Sequence, residues 1–336
     1  MLNGKDMDLK DELLLEGFRC VVDCDQPEVE EVEISDELIY WSDPTAWPSG
    51  EIPVEGDEVE IIPGANMILD IETPMLIQLT VNGRLTFLND EVEPRNLTIH
   101  TKLMYVRQGE LIIGNETHPF NGNATIILYG EPEDETLAYS YTVETHNKVL
   151  GIVGLAKMYG QPRDRMSRLK ATVNRGDKSA TVSSGLDWKR GDKLALMPTA
   201  LQNLHTDYME VESYESDTGE VFFTEGTRYY HWGASVSTGD DYSGVDMRGE
   251  VMLLSRNVRV IGDDNHAWGG QIVVSDNVED SGVSRSGQLI LDNVEVFNCS
   301  HRNTFRSAIR FEGVNNLTQY VTNSAVWGSE GWSLSA

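Results

Sequence analysis

The sequence predicts an all-β chain whose later part is a β-solenoid, a stack of coils that bury one another's faces. Three observations predict it. Residues 41–130 are short apolar runs rich in β-branched residues, separated by Gly, Pro and Asn, which is the pattern of brief strands joined by tight turns. No segment there keeps a helical period. Further on, Asn257-Val258-x-Val260 recurs as Asn293-Val294-x-Val296, an asparagine at a turn followed by two inward-facing valines. Degenerate repetition of this kind is expected of stacked coils.

Taken in order, residues 1–40 are acidic, with a short amphipathic stretch (Leu9, Leu13, Leu14, Leu15, Phe18), and read as a linker or the tail of a preceding domain. Residues 41–165 form the first β domain. Its strands VEIIP, MILDI, LIQLTV, RLTFL, NLTIHT, LMYVR, GELIIG and ATIILYG are too short and too many to bury their faces without sheet stacking. After the acidic turn EPEDE, the run KVLGIVGLAKMYG reads as one more turn of the stack, and QPRDRMSR starts an excursion. Residues 166–336 are assigned to the solenoid. Within them, 171–230 form a strand group whose GDK tripeptides at 176–178 and 191–193 mark hairpin-type turns, and the near-periodic strands begin around VMLLSRNVRVIGD. With no capping element before Ala336, the solenoid is expected to continue beyond it.

Charge narrows the partners. Among 336 residues, 26 Lys and Arg stand against 55 Asp and Glu, a formal charge of -29 that repels phosphate backbones and anionic membrane surfaces. Nucleic acid is not an expected partner. No apolar run approaches ~18 residues, so no direct membrane insertion is expected of this stretch either. Such acidity suits Ca²⁺ binding or a saline exterior, but its plainer reading is a solvated surface. Cys20, Cys24 and Cys299 are too few for a disulfide scaffold, and C-x₃-C without a second pair is a weak zinc pattern.

The stretch WSDPTAW, followed by EGDEVEIIPGANMILDIETP, LTVNGRLTF and QGELIIGNETHPFNGNATIILYG, carries glycines at 50, 56, 64, 83, 109, 114, 122 and 130. It resembles the eight-glycine (G8) domain family of fibrocystin-like proteins and the related hyaluronan-degrading proteins. WKRGDKLALMPT, RGEVMLLSRNVRVIG, WGGQIVV and GQLILDNVEVFN are similar to the segments that follow the domain in that family. The resemblance implies a right-handed parallel β-helix with the eight-glycine domain stacked at its N-terminal end. It also implies an extracellular or cell-surface glycoprotein, with a glycan, an extracellular-matrix component or a cell-surface protein as partner.

The family splits on catalysis. In some members the strand after the NVEVF-like segment has the form RYP-apolar-H-aromatic-H. At the matching place this chain has Arg306-Ser307-Ala308-Ile309-Arg310-Phe311-Glu312. Arg310 and Glu312 replace both histidines, and arginine neither shuttles protons nor binds metals as imidazole does. The expectation is therefore a non-catalytic structural or adhesive module. The alternative is a hyaluronidase-like, glycan-degrading ectodomain that uses carboxylates, with Ca²⁺ as its cofactor.

For that alternative the candidates are Asp246, Arg248, Glu250, Asp292 and Glu312, since glycoside hydrolysis commonly needs two carboxylates about 5–10 Å apart. Arg248 would clamp a sugar carboxylate. For Ca²⁺ the clusters are Asp240 and Asp241, and Asp263 and Asp264, which lack EF-hand spacing and read first as polar turns. His205 with Asp207 and Glu210 is a further candidate cluster. Carbohydrate contact points to Tyr229, Tyr230 and Trp232, which flank His231, and to Trp268; such rings serve equally well as core fillers. Sequons stand at Asn96, Asn115, Asn123, Asn298 and Asn316. No Walker loop, dinucleotide fingerprint, HExxH or GxSxG is present.

Overall fold

The computed structural model describes residues 33–134, 145–202, 204–233, 241–242, 245–263, 267–278, 283–314 and 318–335. Apart from a single 3-10 turn at Pro44–Ala46, the regular elements described are strands. Three parallel ladders carry most of the chain. The first stacks Leu38–Tyr40, Asn66–Leu69, Arg84–Phe87, Glu110–Ile113, Leu155–Tyr159, Gln288–Asp292 and Tyr320–Thr322. The second runs from the first half of Asn96–Val106 through Asn123–Leu128, Val258–Gly262, Val294–Phe297 and Ala325–Trp327. The third runs from Glu58–Ile61 through Met75–Val81, the second half of Asn96–Val106, Val149–Ile152, Gln271–Val278, Ile309–Glu312 and Leu334–Ser335.

Alternation in the sequence decides which face is buried. Leu85 and Phe87, Leu111 and Ile113, Ala156 and Met158, and Leu289 and Leu291 occupy equivalent positions on successive rungs of the first ladder and enter one continuous apolar core. The repeated Asn-Val-x-Val pattern lands in register, with Val258 opposite Val294 and Val260 opposite Val296, all four fully buried.

The turns before these rungs stack as tightly as the strands do. The N–H groups of Glu110, Leu155 and Gln288 donate to the carbonyls of Gly83, Gly109 and Gly154 at 2.9, 3.0 and 2.8 Å. A Cβ on Gly109 would lie 1.9 Å from the Gly83 oxygen, and one on Gly154 would lie 2.4 Å from the Gly109 oxygen. Glycine is required at these corners by the close approach of one backbone to the next.

Between Gly160 and Asn257 the chain leaves the ladders. Met166–Arg168, Glu250–Leu253, Lys193–Leu196, Asp207–Glu215, Glu220–Phe223 and Ser179–Thr181 pair antiparallel, in that order, around a separate apolar core that includes Trp188, Val211 and Phe223. The parallel pairing expected from residue 166 is therefore found only from Val258 onward. The strands flanking the two Gly-Asp turns do not pair with each other; the short connection 216–219 joins Asp207–Glu215 to Glu220–Phe223, too closely for anything but antiparallel pairing. Leu155–Tyr159 pairs directly with Gln288–Asp292 across this excursion.

The excursion rests on the ladders at an apolar seam of Ala195, Met197, Met252 and Leu254 against Ala325 and Trp327. Tyr208 stacks on Trp327 with ring centroids 5.8 Å apart. The Trp327 indole N–H donates to Glu295 at 2.9 Å, and burial raises the Glu295 carboxyl above its usual range. Arg256 directs its guanidinium to the carbonyls of Leu253, Ser255 and Asn323; burial first, then the nearby Arg163 charge, lowers it to about 10.

Candidate functional site

The third ladder's strands Val149–Ile152, Gln271–Val278 and Ile309–Glu312 pair in sequence, so the segments leading into them converge on one corner. That corner holds unusual backbone. His146, Lys148, Asn298, Ser300 and Asn303 all have positive φ, between 52° and 107°, although none is glycine. Such conformations cost about 1–3 kcal/mol each and persist only where the surroundings fix them, which makes the corner a candidate for function. Gly262 and Gly269 let the neighbouring loop lie against it, since a Cβ on either would fall 2.2 or 2.4 Å from the Asn298 oxygen.

Side chains from three coils meet there. The Trp268 and His301 rings stack with centroids 3.7 Å apart and planes at 21°, and His146 meets Trp268 edge-on at 4.8 Å. Trp268 Nε1 donates to Asn147 Oδ1 at 2.7 Å, which fixes the indole. The fully buried Lys148 donates to the Trp268 carbonyl at 2.8 Å and ion-pairs with Asp263. Gln271 Nε2 donates to the Thr145 carbonyl at 2.8 Å and ties the first turn to the second. On the other side, the guanidinium groups of Arg306 and Arg310 lie 5.0 and 5.4 Å from the centroid of the exposed Phe305 ring. Arg310 also pairs with Glu312 at 3.2 Å.

His301 is fully buried, and its pKa is lowered to about 3, by burial first and then by the charges of Arg306, His146 and Lys148. Its imidazole is therefore neutral at physiological pH. Burial pushes the Cys299 thiol beside it up to about 12, so it is inert as a nucleophile. The arrangement is an aromatic platform, half-buried at His146 and Trp268, backed by three cations and two carboxylates. It is suited to stacking and polar contact rather than to proton transfer.

Asp263 and Trp268, expected in a Ca²⁺ cluster and in sugar contact, thus belong to the same corner, where Asp263 serves Lys148. Tyr229, Tyr230 and Trp232 lie on the excursion. Tyr229 stacks on His205 at 4.3 Å, Tyr230 is 49% exposed, and Trp232 is half-buried. His231 between them is fully buried, with Nε2 3.0 Å from Asp207 and Nδ1 3.0 Å from the Met197 carbonyl. The cluster of His205, Asp207 and Glu210 does not form, because Asp207 holds His231 and the Arg228 and Tyr229 amides while Glu210 pairs with Lys193 at 2.6 Å.

Among the carboxylate candidates, Asp246 and Glu250 both meet Arg168, at 3.4 and 2.7 Å. Arg248 grips Asp246 with Nε and Nη2 at 2.9 and 2.8 Å; this hydrogen bonding chiefly lowers Asp246 to about 2, so Arg248 is a partner of Asp246 rather than an open clamp. Asp292 accepts from Thr322 and Asn323 at 3.1 and 2.7 Å, and Glu312 is taken by Arg310. Asp240 and Asp264 lie outside the described residues, and Asp241 is described only in its backbone pairing with Asp246. No group of three metal-ligating side chains is found among the described residues.

The sequons differ in surroundings. Asn115 is exposed in a turn in which its Oδ1 accepts from the Thr117 and His118 amides at 3.0 and 2.8 Å. Asn96 and Asn123 are exposed register neighbours, joined by an amide hydrogen bond of 2.6 Å. Asn298 is only 2% exposed, with its amide donating to the carbonyls of Gly262 and Asp263. Asn316 lies outside the described residues. His146, Lys148, His301 and Phe305 were not legible as site residues. The one signal was the lysine of KVLGIVG, a charge heading an apolar run.

The glycine corners and parallel rungs define the class: residues 46–170 match the G8 domain, and the chain carries that domain. It is homologous to fibrocystin-L and fibrocystin. Human fibrocystin-L is 24% identical over 277 residues, 76% of this chain and 6% of the human protein. Mouse fibrocystin is 26% identical over 297 residues, covering 85% of this chain and 7% of the mouse protein. Communication mutant protein F of Dictyostelium discoideum is 24% identical over 311 residues, 84% of this chain and 26% of that protein. The chain thus spans a small fraction of the length of these relatives.

Proposed function

We propose that the chain is a non-catalytic module of an extracellular or cell-surface, fibrocystin-like protein, and that its three ladders are the faces of a right-handed parallel β-helix. Its work is structural or adhesive, with a glycan or a protein bound at the half-buried Trp268 and His146, which the buried His301 backs. The observation that carries this reading is the stack of Trp268 on a neutral, buried His301, with Lys148 of the Lys148–Asp263 ion pair holding the Trp268 carbonyl. A fixed aromatic face with cations beside it suits a sugar ring or an apolar side chain bearing a negative group. Homology to fibrocystin-L and fibrocystin supports the extracellular placement. Among the described residues, no helix is long and apolar enough to cross a membrane.

The test is a glycan array and a panel of extracellular proteins, read with the native chain and with Trp268→Ala. Binding that falls at least tenfold in the variant is the expected result. Incubation with fluorescent hyaluronan, with and without Ca²⁺, checks the alternative. Polymer shortening that is lost on substitution of Asp246, Glu250, Asp292 or Glu312 would replace this reading with a glycan-degrading one.

A further inference from the structure

A polar cleft of about 350 Å³ opens where the second ladder meets the excursion, lined by Asn96, Asn121, Asn123, Gln161, Arg163 and Lys189 among others. Among the described residues no carboxylate lines it, although Asp and Glu outnumber Lys and Arg 55 to 26 in the chain. Its amides are held in fixed directions. Asn123 Nδ2 donates to Asn96 Oδ1 at 2.6 Å, leaving Asn123 Oδ1 as an acceptor and Asn96 Nδ2 as a donor with no partner among the described residues. Gln161 Nε2 donates to the Phe120 and Pro119 carbonyls at 3.1 and 3.3 Å, so Oε1 is its remaining acceptor. Arg163 is occupied by Asp187 and Asp192 at 2.6 and 2.7 Å. Lys189 is exposed, and no acid pairs with its ammonium among the described residues.

We propose that this cleft binds one hydroxyl-rich unit bearing a single negative charge, a sugar acid, with its carboxylate on Lys189 and its hydroxyls on the Asn96, Asn123 and Gln161 amides. Alternating amide donors and acceptors match vicinal hydroxyls, which both donate and accept. The volume lies at the small end of ligand pockets and suits one sugar unit. The site is separate from the Trp268 platform. Asn96 and Asn123 are also sequon residues, so a glycan attached to either would fill the cleft and close it.

The test uses the chain produced without N-glycans, titrated by calorimetry or NMR with galacturonic acid, N-acetylneuraminic acid, galactose and sodium sulfate. Saturable binding of at least one sugar acid is expected, with a Kd of about 1 mM. Galactose should bind at least fivefold more weakly, and Lys189→Ala and Asn123→Ala should each weaken the sugar acid at least fivefold. Lys178→Ala and Trp268→Ala should leave it unchanged. Failure of both sugar acids to saturate, an unaffected Lys189→Ala, or equal loss in Lys178→Ala would overturn the proposal. Sulfate binding as tightly as the sugar acids would overturn it too, because the cleft would then take a bare anion only.

Discussion

Lys148 and Asp263 lie 115 positions apart and form an ion pair beside the Trp268 carbonyl, with the lysine wholly withdrawn from water. Removing one member leaves the other in a partly dry site. Lys148→Met is expected to destabilise the fold by about 3 kcal/mol, and Asp263→Asn by a comparable amount. The double variant should recover part of the loss, because no lone charge then remains. Denaturant unfolding of all four proteins measures the coupling; strictly additive losses would show that the pair does not act as a unit.

Gly109 is one of the tightest corners of the stack. Gly109→Ala pushes a methyl group into the Gly83 carbonyl and should cost more than about 3 kcal/mol or prevent folding. Gly176, at φ 94° with open space around it, provides the contrast. Its alanine variant bears only backbone strain, about 1 kcal/mol. Equal melting temperatures for the two variants would contradict the close-approach account.

His301 sets a pH dependence. Its folded pKa of about 3 lies below the ordinary 6.5, so between these values the unfolded chain binds a proton that the folded chain does not. Stability therefore rises with pH across that window, and is lost as pH falls through it. Relative to His301→Gln, the native chain should lose about 1.4 kcal/mol per pH unit below pH 6. Glu295 acts in the opposite sense, because its raised carboxyl keeps a proton in the fold after the unfolded chain has released it. Comparison with the His301 variant cancels that contribution, and a gap that stays constant from pH 6 to pH 4 would refute the assignment.

Expressed through a secretory route, the chain should carry a glycan at Asn115 and none at Asn298. The first amide stands in a solvated turn, whereas the second is buried against Gly262 and Asp263. Glycopeptide mass spectrometry reads both sites in one digest. Substantial occupancy at Asn298 in folded, secreted material would show that its buried packing is not required.

Much of the ladder architecture was legible because parallel rungs repeat their inward residues. The Asn-Val-x-Val pairs at 257–260 and 293–296 anticipated the Val258–Val294 and Val260–Val296 register. KVLGIVGLAKMYG likewise supplies two rungs, Val149–Ile152 and Leu155–Tyr159. The excursion was less legible, since alternation at period two is the same for parallel and antiparallel strands, and only turn length separates them. The platform was hidden for another reason. His146, Trp268 and His301 come from three turns remote in sequence, and nothing local to any of them announces the other two.

The chain leaves the ladders and rejoins them at one point, since the Gln161 N–H donates to Asn257 Oδ1 at 2.8 Å and the Gly160 N–H to the Asp292 carbonyl, also at 2.8 Å. Once its own sheet has formed, the excursion behaves in loop-closure entropy like a staple a few residues long. The rungs on either side can zip together as if they were nearly consecutive. A short Gly-rich bridge from Gly160 to Asn257 is then compatible with the register beneath it, and so is a foreign domain whose termini lie as close together. The insertion is in effect an exchangeable cassette on a spool that runs on beneath it.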